Sequence, residues 1–129
     1  MASKHFFILI AMISLFAVSR KPQFSSNQNN NYRSISVEEA QHLLSTTKEI
    51  EIVDVRTPAE VLNGIIPGAM KIDVLNKNFI SEISNLDKSK TYLVYCKSGS
   101  RSKKAANLML ANGFQDVINM KGGYSSWPK

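Results

Sequence analysis

The sequence predicts an α/β fold: a three-layer α/β/α domain with a central, mostly parallel sheet of about five strands. Short apolar and β-branched runs alternate along the chain with segments whose apolar residues recur at helical spacing. A helical segment between two strands is the connection that parallel strands require. With 129 residues, of which 43% are apolar and 20% are charged, the chain has the size and composition of one globular domain.

The N-terminal part differs in composition from the rest. Residues 1–19 are predicted to be a signal peptide or an N-terminal anchor, because Lys4 precedes the apolar run 6–18 and small residues follow it. Residues 20–33 are polar and rich in asparagine, which is typical of a flexible linker, so the globular domain is expected at 34–129. This arrangement predicts an exported, periplasmic protein that is either soluble after cleavage or tethered to a membrane.

The first elements of the domain carry clear boundary signals. A short strand is expected at 32–35, and Ser36 with Glu39 forms a predicted capping box for a helix. His42 lies beside the apolar face of that helix and far from the cysteine loop in sequence, which favours a packing or surface role over that of a base. The apolar face carries Val37, Ala40, Leu43 and Leu44.

A second strand, 49–55, leads into a second predicted capping box at 57–60 with Pro58 at the first helical position. Asp54 and Arg56 lie at the end of this strand. Charged residues at such a place either act in catalysis or hold neighbouring loops by ion pairing, and we favour the second role for both.

The remaining elements follow the same alternation. A brief strand is expected at 69–74, an amphipathic helix at 76–86 and a last strand at 116–120. Two aromatic residues, Tyr124 and Trp127, follow this strand and are expected to cover the core near the strand ends.

The stretch 91–106 holds the only cysteine of the chain, Cys96, at a strand-to-helix junction. Ligands bind at the carboxyl edge of parallel sheets, and the loop 97–100 is short enough to direct several backbone amides inward as an anion-binding loop. These amides, the helix that starts near residue 101 or 102, and the guanidinium of Arg101 are expected to lower the pKa of Cys96 and favour its thiolate. A lone cysteine after an apolar strand is otherwise often a small buried hydrophobe.

Three segments together resemble the rhodanese (thiosulfate sulfurtransferase-like) domain family. The first is Cys-Lys-Ser-Gly-Ser-Arg-Ser at 96–102, the second is Asp-Val-Arg-Thr-Pro-Ala-Glu at 54–60 followed by Gly-Ile-Ile-Pro-Gly-Ala at 64–69, and the third is Gly-Gly-Tyr-Ser-Ser-Trp at 122–127. The three segments occur along the chain in the same order as in that family. The chain departs from the family pattern at Ile65, where histidine is usual.

The resemblance implies a sulfurtransferase that moves a sulfane sulfur from a small anionic donor, such as thiosulfate or a persulfide, to a thiol or cyanide acceptor. It implies no cofactor. Cys96 would be the catalytic residue that carries the sulfur as a persulfide. The resemblance assigns substrate binding to Lys97, Ser98, Gly99, Ser100 and Arg101, and supporting roles to Asp54, Arg56 and Ser102.

Two alternatives stay open. Cysteine phosphatases and arsenate reductases also place a cysteine and an arginine around an anion, but their loop is one residue longer than the four residues between Cys96 and Arg101. A non-catalytic sulfur-carrier or binding module is the other alternative, and the presence of both residues argues against it.

The distribution of charge argues against a nucleic-acid-binding protein, and the number of possible metal ligands argues against a metalloprotein. The net charge of +6 comes from 16 basic and 10 acidic residues, but the basic residues are scattered and form no aromatic-rich stripe of the kind that nucleic-acid-binding modules use. Two histidines and one cysteine do not provide a zinc or iron site of ordinary ligand spacing. We therefore expect neither a nucleic-acid partner nor a metal.

Overall fold

A computed structural model describes residues 32–129, in which five strands form one sheet and every neighbouring pair is parallel. The predicted α/β fold with a central parallel sheet is thereby confirmed. The order across the sheet is β1-β5-β4-β2-β3. The strands are β1 Arg33–Ile35, β2 Ile50–Asp54, β3 Met70–Lys71, β4 Thr91–Tyr95 and β5 Asp116–Met120.

Four α-helices connect the strands, and both predicted capping boxes are present. Ser36 and Glu39 exchange hydrogen bonds of 2.7 and 3.1 Å at the start of α1, and Thr57 and Glu60 do the same at the start of α2. These side chains satisfy backbone amides that have no partner inside the helix. The helices are α1 Val37–Thr46, α2 Pro58–Val61, α3 Phe79–Ile83 and α4 Ser100–Ala111, and a 3-10 turn follows at Tyr124–Ser126.

The sheet separates two apolar clusters because successive strand residues point to opposite faces. On one face, Val94 and Cys96 pack with residues of α3 and α4. On the other face, Leu93 and Tyr95 pack with residues of α1 and with Ile66, Tyr124 and Trp127. The helices therefore cover both faces of the sheet, as the three-layer prediction requires.

Two elements are shorter than the sequence pattern predicts. The predicted strand 69–74 forms ladder pairs only at Met70 and Lys71, and the predicted helix 76–86 is helical only over 79–83. Asp73 accepts a hydrogen bond from the amide of Leu75 at 2.9 Å, and Asn76 accepts one from the amide of Asn78 at 2.8 Å. These local side-chain bonds stabilise turns in place of regular structure.

The prediction of a signal peptide or anchor at 1–19 and most of the predicted linker lie outside the described residues. Arg33 belongs both to the predicted linker 20–33 and to the predicted strand 32–35. In the structure it is the first residue of β1 and pairs with Ile118. Within residues 32–129, no helix has the length and hydropathy needed to cross a membrane.

Candidate active site

Cys96 directly follows β4, which lies between β2 and β5 in the sheet. The residue is 1% exposed and its side chain is on the α4 side, among the apolar residues of that face. The carboxyl ends of the three strands meet here, so the segments that follow β2 and β5 border the cysteine. Such an edge is the usual place for a ligand in a parallel α/β sheet.

The loop after Cys96 turns its amides toward the sulfur. The Gly99 amide donates to Sγ at 3.0 Å, and Gly99 has φ of 110° as the residue that caps the 12-residue helix α4. Burial would raise the pKa of Cys96, but the hydrogen bonds that its thiolate can accept from the Ser102 side chain and from the amides of Ser102, Gly99 and Ser98 outweigh it. The pKa of the thiol is therefore lowered, which favours the nucleophilic thiolate.

Behind Cys96, a line of polar side chains runs through the core to the surface. The Ser102 hydroxyl lies 3.5 Å from Sγ and donates to Asn119 Oδ1 at 2.6 Å. Asn119 Nδ2 in turn donates to the Ser34 hydroxyl at 3.3 Å. Ser102 and Asn119 are both fully buried.

The Arg101 guanidinium, which is predicted to favour the Cys96 thiolate and to bind the donor, is paired with a carboxylate in the structure. Nη1 and Nη2 donate to the two oxygens of Glu60 at 2.6 and 2.8 Å. The Arg101 hydrogen bonds, together with those from Thr57, outweigh burial and lower the pKa of Glu60 to about 2. Arg101 also interacts electrostatically with Cys96, because the charge of Cys96 is among the causes that raise the pKa of Arg101.

Asp54 and Arg56 form a buried ion pair on the opposite face of the sheet from Cys96. Arg56 Nη2 lies 2.7 Å from Asp54 Oδ2 and also donates to the Gly64 carbonyl at 2.7 Å. The guanidinium stacks over the Tyr124 ring at 4.2 Å from its centroid. This pair therefore joins the end of β2 to the turn at Gly64 and to the C-terminal segment.

The Gly122-Gly123 turn attaches the C-terminal segment to the cysteine loop. The amides of Tyr124 and Ser125 donate to the carbonyls of Cys96 and Lys97 at 2.8 and 2.9 Å. Gly123 has φ of 58°, and a Cβ there would lie 2.5 Å from both carbonyl oxygens. Only glycine allows the two backbones to approach so closely.

Comparison with known proteins identifies the family. Residues 36–129 match the rhodanese-like domain. The chain belongs to the rhodanese-like domain family. A sulfurtransferase of Allochromatium vinosum is 32% identical over 96 residues, which are 74% of this chain and 87% of that protein. Thiosulfate sulfurtransferase GlpE of Shewanella oneidensis is 33% identical over 84 residues, which are 65% of this chain and 81% of that protein.

Solved structures agree with this membership. A rhodanese-like domain protein from Staphylococcus aureus superposes on the chain with a TM-score of 0.68 at 33% identity, covering 75% of this chain and 92% of that one. The human single-domain sulfurtransferase TSTD1 superposes with a TM-score of 0.61 at 25% identity, covering 75% and 96%.

In this rhodanese-like domain the predicted site residues fall into two groups. The backbone of the loop and Ser102 surround the sulfur, whereas Asp54 and Arg56 lie behind the sheet. The side chains of Lys97, Ser98 and Ser100 are exposed at the mouth of the loop. No three His, Cys, Asp or Glu side chains of residues 32–129 come together as a metal site would need.

Three residues make site contacts that the sequence did not predict. Glu60 was predicted only as a capping residue, and Gly123 only as part of the segment 122–127. Asn119 was counted as one residue of the last strand. The sequence nevertheless contained an indication of the role of Asn119, because a polar amide inside an otherwise apolar buried strand needs hydrogen-bond partners in the core.

Proposed function

We propose that the chain is a sulfurtransferase that moves a sulfane sulfur from thiosulfate or a similar anionic donor to a thiol or cyanide, through a persulfide on Cys96. One observation carries this proposal. A cysteine with a lowered pKa lies at the carboxyl edge of a parallel sheet, and backbone amides of a short loop surround its sulfur. The names of the similar sulfurtransferases support the same reaction class.

The first step is attack of the Cys96 thiolate on the outer sulfur of the donor. A sulfur–sulfur bond forms to Cys96, the sulfur–sulfur bond of thiosulfate breaks, and its electron pair leaves with sulfite. The negative charge is then on the outer sulfur of the persulfide. The amides of the loop and the N-terminus of α4 stabilise that charge, as an oxyanion hole does.

The second step returns the cysteine to its starting state. A cyanide or thiolate acceptor attacks the outer sulfur, the persulfide bond breaks, and its electrons return to Cys96 as thiolate. The exposed Lys97 at the loop mouth and the guanidinium of Arg101 provide positive charge for anionic donors. No cofactor enters either step.

Mass spectrometry of the whole protein after incubation with thiosulfate tests the proposal. The native chain is expected to gain the mass of one sulfur atom on Cys96 and to lose it when cyanide is added, with thiocyanate released. Cys96→Ser is expected to gain no mass and to transfer no sulfur, while Asn107→Ala, an exposed change on α4, behaves as the native chain. Turnover by the serine variant would exclude the persulfide mechanism.

The same preparation separates the two alternatives. A cysteine phosphatase would hydrolyse an aryl phosphate in a reaction that depends on Cys96, and we expect no such hydrolysis. A non-catalytic carrier would accept sulfur once but would not turn over with thiosulfate and cyanide both in excess.

A further inference from the structure

Asn119 is a polar side chain among the buried apolar residues of β5. The residue is fully buried in β5, and its neighbours Ile118 and Met120 are apolar core residues. Burying an amide is costly unless its donors and acceptor are hydrogen-bonded. Both ends of the Asn119 amide have partners, and the partner of its oxygen is the hydroxyl that touches Cys96.

The direction of these hydrogen bonds suits the neutral thiol. The Cys96 S–H donates to Ser102 Oγ, and the single Ser102 proton points to Asn119 Oδ1. The other acceptor near Ser102 is the Gly99 carbonyl, which at 3.0 Å is farther from the Ser102 oxygen than Asn119 Oδ1 is. Because the Ser102 hydroxyl donates its one proton to Asn119 Oδ1, it has none to donate to a thiolate.

Ionisation of Cys96 would make this arrangement unfavourable. A thiolate can only accept, so the Ser102 proton must turn toward Sγ. The Ser102 oxygen and Asn119 Oδ1, only 2.6 Å apart, would then be two acceptors facing each other. Rotating the side-chain amide of Asn119 by a half turn removes this contact between two acceptors. Nδ2 then donates to the Ser102 oxygen, and Oδ1 faces the Ser34 hydroxyl. Ser34 is exposed in β1 and its hydroxyl can donate as readily as it accepts.

We propose that Asn119 is a positioning residue whose amide reverses the hydrogen-bond direction along Cys96, Ser102, Asn119 and Ser34 when Cys96 changes between thiol and anion. Every bond of the line is kept in both states, with opposite polarity. The thiolate then receives the Ser102 proton while Nδ2 of Asn119 supports the Ser102 oxygen. The use of this device in sulfur transfer rests on the proposed function, but the reversal itself depends only on the ionisation of Cys96.

Other charged groups around Cys96 also affect its ionisation and must be kept constant. Arg101 lies on α4 and is paired with Glu60 of α2, and Asp73 faces Arg101 from the segment after β3. Lys97 is the next residue in the chain, and the Asp54–Arg56 pair is on the opposite face of the sheet. The variants below leave all of these groups in place.

The first experiment measures the pKa of Cys96 from the ultraviolet absorbance of its thiolate. Ser102→Ala removes one hydrogen bond to the anion and is expected to raise the pKa of Cys96 by about one unit, which corresponds to about 1.4 kcal/mol. The ionised carboxylate of Asn119→Asp presents acceptors only. It holds the Ser102 proton and is expected to raise the pKa of Cys96 further. In the double variant the effect of Asn119→Asp is expected to shrink, because Ser102 no longer transmits it. Equal effects of Asn119→Asp in both backgrounds would mean a simple charge effect and would overturn the proposal.

The second experiment uses the native chain labelled with ¹⁵N and does not depend on the folding of any variant at Asn119. The side-chain amide resonances of Asn119 are expected to shift with pH at the midpoint at which Cys96 ionises, and to stop doing so in Cys96→Ala. The exposed amide of Asn107 on α4 serves as the control. Asn119 resonances that remain unchanged across the ionisation of Cys96 would exclude the reversal. Neither readout involves sulfur transfer, so a failed persulfide assay and a failed Asn119 response are separate results.

Discussion

Arg101 and Glu60 are 41 residues apart in the chain and form a bidentate ion pair beside the loop of Cys96, with both N···O distances below 3 Å. Their side chains are only 25% and 28% exposed, so water screens the pair incompletely. Glu60 also caps α2 through Thr57. One carboxylate therefore fixes both the start of a helix and the orientation of Arg101.

Glu60→Gln is expected to reduce stability in a manner that depends on pH. The glutamine oxygen can still cap α2, so the change removes mainly the ion pair, and we expect a loss of about 1–2 kcal/mol at neutral pH. The pKa of Glu60 is lowered from 4.5 to about 2, so its stabilisation is present above pH 4.5 and is lost as the pH falls toward 2. Urea unfolding of both proteins at several pH values measures this. A difference in unfolding free energy that stays constant over this pH range would contradict the prediction.

Arg101→Ala is expected to weaken the use of an anionic sulfur donor. The loss of one charge-assisted hydrogen bond corresponds to about a tenfold lower kcat/KM for thiosulfate. An uncharged persulfide donor should be affected much less, because the thiolate and the loop amides remain. Steady-state kinetics with both donors provide the measurement.

The Glu60→Gln variant is the matched control for this prediction. It keeps the guanidinium but frees it from its partner, so thiosulfate use is expected to stay at the native level or to rise. Equal losses with both donors in Arg101→Ala would indicate that Arg101 only holds the loop against α2.

Gly123→Ala is expected to abolish activity by displacing the cysteine loop. The new Cβ would lie 2.5 Å from the carbonyl oxygens of Cys96 and Lys97, so the two hydrogen bonds that attach the C-terminal segment must break. Gly68→Ala is the control, because Gly68 also has a positive φ, 84°, but a Cβ there meets nothing within 4 Å. It should cost only the backbone strain of about 1–2 kcal/mol. Thermal unfolding and sulfur transfer are measured on both variants. Native activity in Gly123→Ala would show that the close approach of residue 123 to the Cys96 and Lys97 carbonyls is not needed for activity.

Insertion of one glycine after Gly99 is expected to change the choice of anion. The native loop of four residues directs its amides at a single sulfur, with the Gly99 amide 3.0 Å from Sγ. The longer loop should lower sulfur transfer and bind phosphate or arsenate more tightly than the native loop does. Calorimetry with both anions tests this. Aryl phosphate hydrolysis by the native chain at a rate similar to sulfur transfer would show that loop length does not select the reaction.

Much of the fold could be predicted because its signals are local. The two capping boxes span four residues each, and both form as the sequence indicates. The apolar run 91–95 predicts β4, so the position of Cys96 at a strand end follows directly from the sequence. The predictions failed where short polar side chains form local turns, as around Asp73 and Asn76, because these bonds compete with helix and strand within the same few residues.

By itself, the sequence determined the α/β class and the place of Cys96 between a buried strand and a helix. Hydrophobic periodicity, secondary-structure propensity and helix capping all act over a few neighbouring residues. Only the tertiary structure decided the partners of Arg101, Asn119 and Gly123. The sheet register places Asn119 beside Val94, which brings it under Ser102, and the packing of α2 brings Glu60 to Arg101. In a chain with 16 basic and 10 acidic residues, composition cannot select one ion pair, whereas the geometry of parallel strands can.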